Sequence, residues 1–221
     1  MVLADNFIKC GQYKNILFVG AEVHSKGMDK SNEGRDISVL FGDGAGAIVL
    51  SAQECSEQVS SEEHSSEVLT SDLHSDGKFA RELWLPGPGS SHGPDRMSME
   101  MVEKGLHFPY MNGKVVFVNA VRRMSETVLT SLKKINLEVK DVNLFLFHQA
   151  NLRINQKVAD MLQIAPENVF NTIQKYGNTT AATIPIGLND AFKAGKLKRG
   201  DIVVFAAFGS GFTWGSVVLR Y

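Results

Sequence analysis

The second half of the chain alternates apolar runs of strand length with amphipathic stretches of helix length, and that alternation restricts the fold more than any other feature. Residues 115–132 repeat with helical spacing, 144–147 are wholly apolar, and 152–162 are helical again with Val158, Met161 and Leu162 inward. Val169 and Phe170 form a short strand, and a helix over 179–192 begins after Asn178. Residues 202–208 and 212–219 are strands joined by Gly209, Ser210 and Gly211. The order predicts α/β layers around a largely parallel sheet, closed by an antiparallel hairpin.

The first half is less regular. Val2, Leu3, Phe7 and Ile8 mark a helix that stops at Gly11. Residues 16–19 read as a strand buried on both faces, and 37–50 as a second strand rich in Gly and Ala. Residues 51–66, dense in Ser and Glu, read as a solvated loop, 67–76 as a strand, and the proline-bearing 77–110 as loops. The stretches 41–50 and 208–219 echo each other: an aromatic residue, a glycine turn, then an apolar strand. This predicts two related half-domains, with 1–66 the remnant of the first plus a linker and 67–221 a complete second.

Composition narrows the function classes. A chain of 221 residues that is 43% hydrophobic can bury a full core, and 23 basic against 24 acidic residues leave no surplus for a nucleic-acid backbone. The apolar runs fall far short of the roughly 20 residues needed to span a bilayer. Two cysteines, Cys10 and Cys55, support neither a disulfide framework nor a four-ligand zinc site, so the expectation is a cytoplasmic, reduced protein with no metal.

Of the six histidines, His148 is the one placed for chemistry, at the C-terminal end of a buried strand, where open α/β sheets bind ligands. The alternative is a satisfied structural histidine. His24, His64, His74, His92 and His107 lie in polar or loop surroundings and read as surface. Asn178 is either a helix cap or an amide donor aimed at developing negative charge, and its place in the unit next to that of His148 favours the second role. The glycine turn at Ser210 offers backbone N–H groups and is no nucleophile elbow. Neither cysteine reads as a nucleophile: Cys10 falls at the wrong pole of its helix, and Cys55 sits among carboxylates.

Taken together, FGDGAGA at 41–47, HQANLR at 148–153, GNTTAA at 177–182 and FGSGFTWG at 208–215 resemble the beta-ketoacyl-acyl carrier protein synthase III family. The resemblance runs over essentially the whole chain. It implies a thiolase-like fold, here the tail of the first half-domain plus a complete second, and a decarboxylative condensation of acyl-coenzyme A with malonyl-acyl carrier protein. It makes His148 and Asn178 the donors to the malonyl thioester oxygen and the Ser210 N–H part of a second oxyanion hole. By the same resemblance Phe208 would line the pantetheine tunnel, Arg35 would lie near the coenzyme A adenine, and Arg153 and Lys114 would dock the acidic carrier protein. Val118 stands where the family often has lysine; Lys114, Arg122 and Arg123 on the same predicted helix supply compensating charge. No cofactor is implied, only the two thioester substrates, and a homodimer is expected of the full-length protein.

By the same resemblance the nucleophilic cysteine would lie several residues before Met1, so this chain alone is expected not to perform acyl transfer. The competing expectation is a non-catalytic chain that binds carrier protein or a partner subunit. A third is residual decarboxylation of malonyl thioesters, because the His/Asn pair stabilises an enolate without a cysteine.

Overall fold

The computed structural model describes residues 1–53, 66–94 and 96–221. The acidic loop expected around 51–66, with Cys55 and His64, lies largely outside these. Helix α1 (Val2–Lys9) turns at Gly11 into strand β1 (Asn15–Glu22). A long connection holding helix α2 (Arg35–Ser38) then leads to β2 (Gly44–Ser51), antiparallel to β1 in a two-stranded sheet. The expected strand over 37–50 therefore starts late. Residues 40–42 bond elsewhere: the Asn178 N–H donates to the Leu40 carbonyl, and the Gly42 N–H donates to the Asn178 carbonyl.

Strand β1 also departs from expectation in burial. Phe18 and Gly20 turn inward, while Leu17 is 64% exposed and its cross-strand partner Val49 is 65% exposed. A two-stranded sheet packs here on one side only, so the apolar run is half-covered, not buried on both faces.

Strand β3 (Glu67–Ser75) begins the larger sheet. The proline-bearing segment that follows is mostly loop, pinned by pairing of β4 (Leu83–Trp84) with β5 (Tyr110–Met111) around the short helix α3 (Met99–Glu103). Helix α4 (Gly113–Lys134) starts at Asn112, whose side chain accepts the Val115 N–H. It buries Val116, Ala120, Met124, Val128 and Leu132, one residue per turn along a single stripe.

The remaining elements are β6 (Leu144–Phe147), α5 (Leu152–Leu162), α6 (Ile173–Tyr176), α7 (Thr183–Lys193), β7 (Ile202–Gly209) and β8 (Thr213–Arg220). The sheet order is β3-β8-β7-β6, and only β6 and β7 run parallel. The largely parallel sheet is thus corrected: β3 enters along the free edge of the closing hairpin, making two of three pairings antiparallel. Val169 contributes only a single bridge to Phe145. In α5, Val158 and Leu162 point inward as expected, but Met161 is 52% exposed, one residue off the buried stripe.

Both faces of the larger sheet are covered. Phe145, Phe147, Val204, Ala206 and Val218 pack against α4 and α5. Leu144, Leu146, Val203, Phe205, Val217 and Leu219 pack against α7 and the start of α1. Helix α7 lies between the two sheets: Gly187 sits against Leu146 on one side, and Pro185 and Ile186 meet Gly46 on the other. The order helix, strand, antiparallel strand occurs twice, as α1-β1-β2 and α7-β7-β8. Among the described residues no helix is long and apolar enough to cross a membrane.

Candidate active site

His148 is the first residue past β6. Its N–H continues the parallel ladder, donating to the Ala206 carbonyl of β7 at 2.8 Å. Gln149 and Asn151 of the HQANLR run are scaffolding. Buried Gln149 accepts N–H bonds from Thr172 and Ile173 at Oε1 and donates to the Phe147 carbonyl, clamping the loop after β6 to the one before α6. Asn151 caps α5 by accepting the Arg153 N–H.

The His148 ring is half-buried, and desolvation lowers its pKa to about 4, so it is neutral at pH 7. Its Nδ1 lies 2.8 Å from Oγ1 of Thr183. That hydroxyl lies 2.8 Å from the Thr180 carbonyl, and the Thr180 N–H donates to Oδ1 of Asn178 at 2.9 Å. An unbroken chain of short contacts therefore connects the two candidate donors. Asn178 does not cap α7, which is preceded by Ala182; its side-chain oxygen orders the 180–182 turn instead, and its amide Nδ2 meets no protein acceptor among the described residues. The expected helix over 179–192 begins only at Thr183, because residues 180–182 form a tight 3-10 turn with Thr180 at φ +41°. A non-glycine residue in that region carries strain that its surroundings must hold.

The FGDG motif fixes this turn from the other side. A Cβ on Gly42 would collide with the Tyr176 carbonyl oxygen, so glycine is required for the approach that lets residues 40–42 bracket Asn178. Asp43 accepts from the N–H and hydroxyl of Ser25, which anchors the connection after β1 and lowers the Asp43 pKa through those bonds. His24, read as a surface residue, is half-buried here. Its ring centroid is 4.7 Å from that of Phe41, and its Nε2 lies 3.2 Å from Oγ1 of Thr180. Nothing in its sequence neighbourhood signals this; only the turn at Thr180 brings the two together.

Ser210 tops the β7–β8 turn. Its hydroxyl donates to the Leu83 carbonyl, and its backbone N–H meets no protein acceptor among the described residues. Phe208 is buried with its ring 4.7 Å from Phe212. Arg35 is exposed on α2, with Asp36 3.8 Å away. The same helix lends Ile37 and Ser38 to a cleft of about 980 Å³, walled also by Arg81, Trp84, Leu106 and Tyr110. His148 and Asn178 do not line that cleft. Lys114, Val118 and Arg122 lie exposed along α4, and Arg153 is exposed on the first turn of α5. Arg123 does not join them. It is buried, bonded to Asp76 at 2.8 Å and Asn119 at 3.2 Å, and its guanidinium lies 4.0 Å from the Trp214 ring centroid. Cys10 is exposed at the C-terminal end of α1. Among the described residues no group of three acidic, His or Cys side chains could hold a metal.

Residues 1–77 match the family described as 3-oxoacyl-[acyl-carrier-protein (ACP)] synthase III, and residues 132–221 match its C-terminal counterpart. The beta-ketoacyl-[acyl-carrier-protein] synthase III of Clostridioides difficile is 40% identical over 221 residues, covering 100% of this chain and 63% of that protein. The Ehrlichia canis protein of the same name is 41% identical, covering 99% and 62%. Among solved structures, 3-oxoacyl-[acyl-carrier-protein] synthase III from Aquifex aeolicus superposes with a TM-score of 0.83 at 39% identity, over 100% of this chain and 62% of the other. The Pseudomonas aeruginosa enzyme gives 0.84 at 35%, with the same coverage. This chain thus spans somewhat over three-fifths of the length of these relatives. With both family descriptions matched in order and the backbone superposing throughout, the chain belongs to the 3-oxoacyl-[acyl-carrier-protein] synthase III family and has its thiolase-like fold.

Proposed function

We propose that this chain carries the decarboxylating, enolate-stabilising part of a beta-ketoacyl synthase III reaction. The observation that carries the reading is the hydrogen-bond chain holding His148 and Asn178, each with one polar nitrogen left without a protein partner among the described residues. A malonyl thioester loses carbon dioxide when its Cα–carboxylate bond breaks and the electron pair moves into the thioester, placing negative charge on the carbonyl oxygen. Two preorganised N–H donors aimed at that oxygen lower the barrier, because they gain strength as the charge develops. In the full condensation, which this chain alone is expected not to complete, the enolate carbon would attack an acyl thioester to give a tetrahedral oxyanion that collapses with loss of the thiolate, and the free N–H of Ser210 would donate to that oxyanion. Phe208 and Arg35 serve the pantetheine and adenine ends of the thioester. Arg153 and Lys114, on adjoining helices, meet the acidic carrier protein. Cys10 has no part, since the C-terminal pole of a helix opposes a thiolate.

Release of labelled carbon dioxide from carboxyl-labelled malonyl-coenzyme A by the 221-residue chain tests this directly. The expected result is release above the uncatalysed rate, falling by about 10²–10³ in His148→Ala. A rate equal to the no-protein control would refute the reading. It would favour instead the binding alternative, which the exposed apolar face of β1 and β2 supports.

A further inference from the structure

Thr180 is a β-branched residue at φ +41°, a left-handed conformation that such residues rarely hold without outside support. Its N–H donates to Oδ1 of Asn178 at 2.9 Å, and its carbonyl accepts the Thr183 hydroxyl at 2.8 Å. Both partners lie within three residues of it, so they close the turn but bring nothing from outside to select its form. A third contact comes from 156 residues away. Nε2 of His24 lies 3.2 Å from the Thr180 hydroxyl, whose oxygen meets no other protein partner among the described residues. Oε2 of Glu22 stands 3.8 Å from the same nitrogen, beyond hydrogen-bond distance, and does not compete.

His24 reaches both flanks of Asn178. On one side it meets Thr180, whose N–H orders the Asn178 side chain. On the other its ring lies 4.7 Å, centroid to centroid, from that of Phe41, and Phe41 pairs with Asn178 through a parallel bridge. The imidazole is firmly mounted. Its side chain is only 18% exposed, and the next residue, Ser25, is bonded to Asp43 through both its N–H and its hydroxyl, at 2.8 and 2.6 Å. Strand β1, which carries it, closes on the same turn where Gly20 meets Ala181. A residue from the first half of the chain therefore braces a donor in the second.

We infer that His24 is a positioning residue for Asn178: by binding the Thr180 hydroxyl and packing on Phe41 it holds the turn in its left-handed form and so sets the direction of the Asn178 amide. The hold on the turn is a property of the free chain, whereas its effect on decarboxylation rests on the function proposed above.

Amide hydrogen exchange followed by NMR reads the turn without substrate, because the Thr180 N–H is protected while it is bonded to Asn178. In His24→Ala that proton is expected to exchange at least about tenfold faster, while Val204 and Phe205 in β7 keep their wild-type rates. His24→Gln offers a donor and an acceptor at similar reach and is expected to restore protection. Malonyl-coenzyme A decarboxylation is expected to lose at least about tenfold in kcat in His24→Ala, with KM changed less than about twofold, and to recover in His24→Gln. Wild-type exchange at Thr180 in a folded His24→Ala chain overturns the inference, as does faster exchange spread equally to β7, or a His24→Gln chain no better than His24→Ala. An active wild type whose kcat survives His24→Ala overturns it too. Should His24→Ala not fold, Thr180→Val, which removes the hydroxyl and keeps the branch, decides it by the same exchange at position 180. If exchange responds as expected but wild type decarboxylates nothing, the enolate reading fails and the role of His24 stands.

Discussion

Burial at the end of β6 sets how His148 responds to pH. Its folded pKa of about 4 lies below the ordinary 6.5, so the unfolded chain takes up the proton first as pH falls. Stability is therefore lost between about pH 6.5 and 4 and levels off below, by up to roughly 3 kcal/mol from this group alone. Urea denaturation of wild type and His148→Gln across that window checks the sign: the wild-type midpoint falls more steeply, and the difference between the two chains isolates the imidazole. Asp72 acts in the same direction over a more acid window. Its burial opposes ionisation, but bonds from Lys134, His74 and Thr127 win and lower its pKa, so its contribution is lost only at more acid pH. At this scale His148 and Asn178 are legible from sequence, because a strand end and a glycine-flanked loop mark their places. Thr183 and His24 are not. Their contacts depend on Thr180 adopting left-handed backbone, which no motif announces.

Close approaches at glycine decide how the elements stack. Adding a methyl at Gly20 places it 2.5 Å from the Ala181 carbonyl oxygen, and at Gly46 2.7 Å from Pro185. Gly20→Ala is expected to cost about 1–3 kcal/mol by pushing β1 off the 180–182 turn, read as a lower urea midpoint with an unchanged slope. The opposite side of that sheet is apolar and open, with Leu17 facing Val49 and Val19 facing Ala47. At micromolar concentration the chain is expected to self-associate through this face. The pair Leu17→Lys, Val49→Lys should shift sedimentation toward monomer with the helix content kept; unchanged association would contradict it. Element positions in the second half are legible because 144–147, 202–208 and 212–219 are apolar enough for burial on both faces. The same reasoning misjudges β1, since an apolar run tells what a strand tolerates, not how many layers cover it. It also misjudges Arg123, whose place on a basic stretch of helix says nothing of the inward turn that pairs it with Asp76 and Trp214.

At the scale of the molecule, α7 is the element both sheets share, and it begins at the residue that touches His148. Covering its flanks with β2 and β6 fixes where Thr183 sits, so packing far from the site sets the geometry within it. The carrier-protein role proposed for the α4–α5 surface predicts that Arg153→Glu weakens binding of acyl carrier protein roughly fivefold at low salt, with little change at high salt; titration calorimetry at two ionic strengths would show it. The central claim is that His148 and Asn178 act together on one oxygen. A double-mutant cycle on malonyl-thioester decarboxylation, with His148→Ala, Asn178→Ala and both, tests it most directly. The account predicts that either single change removes most of the rate and that the second removes little more. Independent, fully additive losses, or singles as fast as wild type, would contradict it.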